Sequence, residues 1–68
     1  MDKDLLEYEL KKRKITIGEA CTKMGVSRSA FYRKCNGISE FTLSEICKIV
    51  DMIGFKAASA IFFAKQVS

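Results

Sequence analysis

Apolar residues recur along most of the chain at the spacing of one helical face. Four segments show this periodicity, separated by short polar stretches that contain glycine, serine or threonine. The apolar residues are Leu6 and Leu10 in the first segment; Ala20, Cys21 and Met24 in the second; Phe31 and Cys35 in the third; and Leu43, Ile46, Ile49, Val50 and Ile53 in the fourth. The pattern predicts four short helices that share an apolar core.

Polar residues at the segment boundaries predict where the helices begin. A serine, threonine or aspartate followed three residues later by glutamate is typical of a capping box, in which each side chain bonds the other residue's amide. This spacing opens three of the segments, at Asp4 and Glu7, Thr16 and Glu19, and Thr42 and Glu45. We expect Ser27 to cap the third helix by accepting a hydrogen bond from an early amide.

Glycine residues mark most of the predicted helix ends, because a left-handed residue lets the last carbonyl groups of a helix find donors. The first helix is expected to end near Lys14 and the second at Gly25. The third should stop at Asn36-Gly37, where Asn36 is a candidate left-handed cap. The fourth should stop at Gly54.

The segment 55–68 is open to two predictions. Ala57, Ala58 and Ala60 favour a short fifth helix, whereas the stretch IFFAKQVS contains residues that favour a strand. We expect the helix because of the alanines. Residues 1–68 then form a single all-α domain of four or five short helices.

Charge is distributed unevenly along the 68-residue chain. The formal net charge of +4 comes from 12 basic and 8 acidic residues. Residues 11–34 hold eight basic residues and one acid, a net of +7, whereas the rest of the chain holds four basic and seven acidic residues, a net of −3. A directed field of this kind predicts a polyanionic partner; an unevenly charged solvated surface is the alternative.

The side chains that catalysis or metal binding requires are scarce. The chain has no histidine, and Cys21, Cys35 and Cys47 lie 14 and 12 positions apart with no close pair among them. Metal sites use closely spaced ligands, so these cysteines are better explained as small buried apolar residues. We therefore expect no enzyme, no metal and no cofactor.

Hydropathy and the first residues of the chain indicate the cellular compartment to expect. No apolar run approaches the roughly 18 residues that a membrane-spanning helix needs. The opening MDKDLL lacks the layout of a signal peptide. We expect a cytoplasmic protein without a membrane partner.

The stretch TIGEACTKMGVSRSAFYRKCNGI, residues 16–38, has the layout of a helix-turn-helix. Gly25 suits the turn, Val26 can fill the corner between the helices, and Phe31 gives the second helix a buried side. At about 100° per residue the opposite face then points to solvent. This face carries the candidate base-contacting residues Arg28, Ser29, Tyr32 and Arg33.

The same stretch resembles the helix-turn-helix of phage repressors of the lambda-repressor and Cro type, including the Gly-Val-Ser turn and the later Asn36-Gly37-Ile38. The resemblance implies a lambda-repressor-like domain of five helices in a small transcriptional regulator encoded by a phage or prophage. Such a protein binds a palindromic operator in double-stranded DNA as a homodimer, with recognition helix 28–35 in the major groove. Its location would be the nucleoid of a bacterial host cell.

Residue roles follow from this resemblance. Arginine is the commonest reader of guanine, which suits Arg28 at the start of the recognition helix. Candidate phosphate-contacting residues flank the recognition face: Lys23, Ser27, Lys34 and Asn36. The chain departs from the family at Ile17, where glutamine is common, and at Lys34, where an apolar residue is common and Cys35 takes the buried role.

The apolar end of the chain supplies candidates for self-association. Ile61, Phe63 and Val67 are more apolar than a solvated chain end needs, and they are the candidate dimer-interface residues. The alternative is that the phenylalanines fold back into the core. The function also has an alternative, a small modulator that binds another repressor protein and alters its DNA occupancy. An antitoxin-like autoregulator is a third possibility, and the operator and the direction of regulation stay open.

Overall fold

Five α-helices account for most of residues 1–63, the part of the chain that this computed structural model describes. Their bounds are Lys3–Lys12 (α1), Ile17–Met24 (α2), Arg28–Cys35 (α3), Leu43–Ile53 (α4) and Phe55–Phe62 (α5). None of these 63 residues lies in a strand. The prediction of an all-α fold is therefore confirmed, as is a fifth helix at Phe55–Phe62. Residues 64–68 of the stretch for which a strand was the alternative lie outside the described part of the chain.

The side-chain caps lie where the sequence predicts them on three helices. Thr16 and Glu19 form a complete capping box on α2, with N–O distances of 2.8 and 3.0 Å. Thr42 and Glu45 form the same box on α4, and Ser27 Oγ accepts the amide three residues ahead of it. Each such cap stabilises a helix by about 1 kcal/mol, which matters for helices of only two or three turns.

The predicted capping box at Asp4 is wrong. Asp2 caps α1 instead, and its Oδ1 accepts the amide of Leu5 at 3.0 Å. The helix therefore begins two residues earlier than expected. Asp4 lies in the first turn, where a negative charge is favourable near the positive helix end.

Three helices end in a turn with one left-handed residue. These residues are Lys14 after α1, Gly25 after α2 and Gly37 after α3, with φ angles of 60°, 75° and 81°. The amide of the next residue reaches back to the helix, as when Ile15 N–H donates to the Leu10 carbonyl at 2.9 Å. The prediction of Asn36 as the left-handed residue is wrong, because its φ is −90° and Gly37 takes that role.

The core is built from one buried stripe of each helix. Its buried members are Leu6, Leu10, Ala20, Cys21, Met24, Phe31, Cys35, Ile49, Ile53, Ala58 and Ile61. Val26 is half-buried against this cluster, as predicted for a corner residue. The predicted stripe of α4 is too long: Leu43 is 75% exposed and Ile46 only half-buried, because the buried part of α4 is its C-terminal half.

Aromatic rings connect α3 to α5 across the loop that precedes α4. The rings of Phe31 and Tyr32 meet edge to face with centroids 5.6 Å apart, and Phe31 meets Phe41 in the same way at 6.2 Å. Phe41 then contacts Phe62 at 5.3 Å. Such pairs favour edge-to-face geometry and add to the energy of area burial. They hold α3 by one side only.

The three cysteines should differ sharply in reactivity. Cys21 and Cys35 are buried, as predicted, but Cys47 is exposed. Burial raises the pKa of Cys21, and burial with the nearby Glu7 carboxylate raises the pKa of Cys35 to about 11.

Since the thiolate is the reactive form, an aromatic disulfide reagent at neutral pH should modify the exposed Cys47 quickly and all three thiols only after denaturation. Cys47→Ser should remove the fast phase; three equal fast phases would contradict this packing.

Candidate nucleic-acid interface

The α2–α3 pair is a helix, a three-residue connection and a second helix. Gly25 adopts the left-handed conformation at the end of α2, and Val26 N–H donates to the Cys21 carbonyl at 3.1 Å. The roles predicted for Gly25 and Val26 are thus confirmed. Phe31 and Cys35, one helical turn apart, are the buried residues of α3. Their burial fixes which face of α3 points outward.

The outward face of α3 carries all four candidate base-contacting residues. Arg28, Ser29, Tyr32 and Arg33 are exposed, and the structure brings them together on one side of the helix. Arg33 Nη1 donates to Ser29 Oγ at 3.0 Å, so these two side chains, one turn apart, form a hydrogen-bonded pair. We call this surface the α3 face.

Tyr32 stands at the border between the α3 face and the body of the protein. Its side of the helix adjoins a hollow formed with the end of α1 and the start of α2, lined by Glu7, Leu10, Lys11, Lys14, Ile15, Thr16, Ile17 and Tyr32. The residue is still 39% exposed. Tyr32 therefore packs against its neighbours and also presents part of its ring to solvent.

The basic run at the end of α1 divides into two pairs. Lys12 and Arg13 both contact the Glu9 carboxylate, Lys12 at 3.8 Å, and Lys12 also lies over the Tyr8 ring. Lys11 and Lys14 instead line the hollow beside the α3 face. The four basic residues are adjacent in the sequence, and the position of Glu9, one turn before Arg13, is the signal that separates the pairs.

Arg28 leans towards α2. Its Nη2 atom lies 2.7 Å from the point where a Cβ atom on Gly18 would stand. Together they border a shallow groove along α2 with Thr22, Lys23 and Val26. Gly18 was not among the predicted site residues. The signal that could have indicated Gly18 is a glycine inside a helical pattern, where glycine costs about 1 kcal/mol relative to alanine.

Three of the four candidate phosphate-contacting residues are available on the surface. Lys23, Ser27 and Asn36 are exposed, although Ser27 Oγ already caps α3. The prediction for Lys34 does not fit the structure. Its side chain is only 13% exposed, and Nζ lies 3.1 Å from Glu45 Oε1.

Lys34 connects the end of α3 to the start of α4. Besides the Glu45 carboxylate, its ammonium donates to the Glu40 carbonyl at 3.1 Å. Burial acts to raise the pKa of Glu45, but the Thr42 amide and the Lys34 ammonium outweigh it and lower that pKa below its usual value. Lys34 is therefore a structural residue. The sequence did not reveal this because its partner is eleven positions away.

The candidate dimer-interface residues fall into three different situations. Ile61 is 3% exposed and belongs to the core, so its side chain is not free to contact a second copy. Phe63 is 54% exposed beyond the end of α5, while Phe62 packs against the core. Val67 lies outside the described residues.

Comparison with known proteins adds no relative to this picture. No family model matches the chain, and neither curated proteins nor solved structures gave a match. Within residues 1–63 no group of side chains has the make-up of a metal site, and no helix is long and apolar enough to cross a membrane. The geometry of α2 and α3 is therefore the basis for any functional argument.

Removing the Lys34–Glu45 contact should make stability depend less on pH. Because Glu45 has a lowered pKa when folded, its contribution is complete above its usual pKa of 4.5 and disappears as the pH falls through the lower folded-state value. Glu45→Gln should destabilise the protein by roughly 1–3 kcal/mol at pH 7, and this difference should shrink below pH ~4.

The matched control is Glu19→Gln, which alters the equivalent capping box on α2. Urea unfolding of both variants and the wild type across this pH range measures the effect. If both variants lose the same free energy of unfolding at neutral pH, the contact of Glu45 with Lys34 contributes nothing beyond the helix cap.

Proposed function

We propose that this protein is a sequence-specific DNA-binding regulator of transcription, of the phage repressor type, and not an enzyme. The observation that carries the proposal is the α3 face: two arginines, a serine and a tyrosine, all exposed, on a helix that follows a three-residue turn. The regulator acts in the cytoplasm of a bacterial host, on its nucleoid DNA.

The dimensions of α3 suit a major groove. An α-helix with its side chains is about 10–12 Å across, which matches the ~12 Å width of the major groove in B-DNA. In helix-turn-helix proteins the second helix enters the groove while the first crosses the backbone. Arg33 is well placed to bind a guanine edge through two donors, because its bond to Ser29 already limits its rotamers.

Electrostatics favour the same surface. Lys12 and Arg13 are paired with the Glu9 carboxylate, whereas Lys11 and Lys14 border the α3 face. Two further exposed polar residues belong to the same helix pair: Lys23 in the last turn of α2 and Asn36 directly after α3. These groups are available to phosphates, whose neutralisation releases counterions and makes binding depend on salt.

A homodimer on a palindromic operator completes the proposal. A single module of this size covers little DNA, and two half-sites about one helical turn (~34 Å) apart need two copies. Phe63 is the described candidate that is open to such a contact.

A second candidate function is a modulator that binds another repressor protein. It is favoured by two exposed apolar side chains, those of Ile38 in the loop between α3 and α4 and of Leu43 at the start of α4. Exposed residues of this kind are common at protein interfaces. A modulator of this class would bind DNA only together with its partner.

Replacing Arg33 by alanine should weaken binding to the preferred duplex by ~1–3 kcal/mol and relax specificity at one base pair, because a bidentate base contact is lost. The preferred duplex is first selected by the wild-type protein from a random-sequence pool, and affinities are then measured by fluorescence anisotropy. Lys56→Ala is the charge-matched control on α5. Wild-type binding by Arg33→Ala would refute this role of the α3 face; a wild-type protein that selects no duplex alone would favour the modulator.

A further inference from the structure

Gly18 gives Arg28 room to lie along α2. The Arg28 Nη2 atom comes to 2.7 Å of the position of a Cβ at residue 18, and Cζ and Nε come to 3.6 and 3.7 Å. Any side chain at this position would therefore occupy the space of the guanidinium. Gly18 has an ordinary helical backbone, so its conformation does not require glycine. The space beside it does.

This arrangement separates the two arginines of the α3 face. Arg28 is turned towards the helix that precedes the turn, while Arg33 is bonded to Ser29 on α3 itself. In a helix-turn-helix complex the preceding helix lies over the backbone and the following helix lies in the groove. A guanidinium held beside α2 is therefore directed to a phosphate, and one held on the outer side of α3 is directed to base edges.

We propose that Gly18 is a positioning residue that holds Arg28 beside α2 for a phosphate contact, so that Arg33 with Ser29 carries the base recognition. This inference rests on the proposed function, because it assigns roles within a DNA complex. It reverses the expectation from the sequence for Arg28, which stood at the helix position where base reading is common. The charge of Arg28 then adds affinity for every sequence, and Arg33 adds preference.

The Gly18→Ala variant tests the positioning part without endangering the fold. The atoms that a new Cβ meets belong to the free end of a flexible side chain, so Arg28 moves and the backbone stays. Alanine also favours a helix over glycine. The matched control is Ser44→Ala, which stands at the same place in the capping box of α4 as Gly18 does in that of α2.

Arg28→Lys and Arg33→Lys test the two kinds of contact. Lysine keeps the charge that a phosphate contact needs but lacks the planar pair of donors for guanine. Two duplexes serve as probes: the one selected by the wild-type protein from a random-sequence pool, and a scrambled version of it. Affinities for both are measured by fluorescence anisotropy at several salt concentrations.

We expect Arg28→Ala to weaken binding to the selected and the scrambled duplex by the same factor, and to lower the salt slope of the binding constant by about one. Gly18→Ala should do the same. Arg28→Lys should recover most of this loss. Arg33→Ala and Arg33→Lys should both reduce discrimination between the duplexes by about 5- to 150-fold. Ser44→Ala should bind like the wild type.

The inference is overturned if Arg28→Ala removes discrimination and Arg33→Ala does not, or if Gly18→Ala binds like Ser44→Ala. A readout without DNA keeps the two proposals apart: nuclear Overhauser contacts between the Gly18 Hα atoms and the Arg28 side chain in the free protein. If these contacts are absent, the positioning role fails although DNA binding stands. If they are present and neither duplex is bound, the proposed function fails and takes the role of Arg28 with it.

Discussion

The burial of Phe31 determines which face of α3 remains in solvent. Phe31 is fully buried, and its ring joins the edge-to-face series that runs through Phe41 to Phe62 on α5. α3 is otherwise a polar helix, with Cys35 as its other buried residue. Because so few groups hold α3, its rotation is set by the burial of Phe31 and Cys35, together with the contact of Lys34 with Glu45 at its end. The outward direction of Ser29 and Arg33 follows from it.

Two glutamates then decide which basic groups are free. Glu9 contacts Lys12 and Arg13, and Glu45 contacts Lys34 between α3 and α4. The positive charge that the sequence shows as one block is thus divided into paired and available groups. The available ones, Lys11 and Lys14 among them, lie beside the α3 face. The pairs of the more exposed Lys12 and Arg13 contribute little to stability and act mainly on the field, whereas the largely buried Lys34–Glu45 pair also stabilises the contact between α3 and α4.

Local signals were sufficient for most of the fold, whereas the site needed contacts between helices. The caps at Thr16, Ser27 and Thr42 could be predicted because capping depends on residues three positions apart. The error at Asp4 arose because Asp2 offers the same chemistry two residues earlier. The partner of Lys34 and the position of Arg28 over Gly18 could not be read in this way. Both depend on how separate helices pack.

The most direct test of the account is an NMR titration of the labelled protein with the duplex that it selects from a random-sequence pool. The account predicts that the amide shifts change most in residues 27–37 and in the first turn of α2, with little change in the first turn of α1. Changes centred on Leu43 and Phe55, with the amides of α3 unmoved, would contradict it. They would mean that an exposed apolar surface, rather than the α3 face, makes the contact.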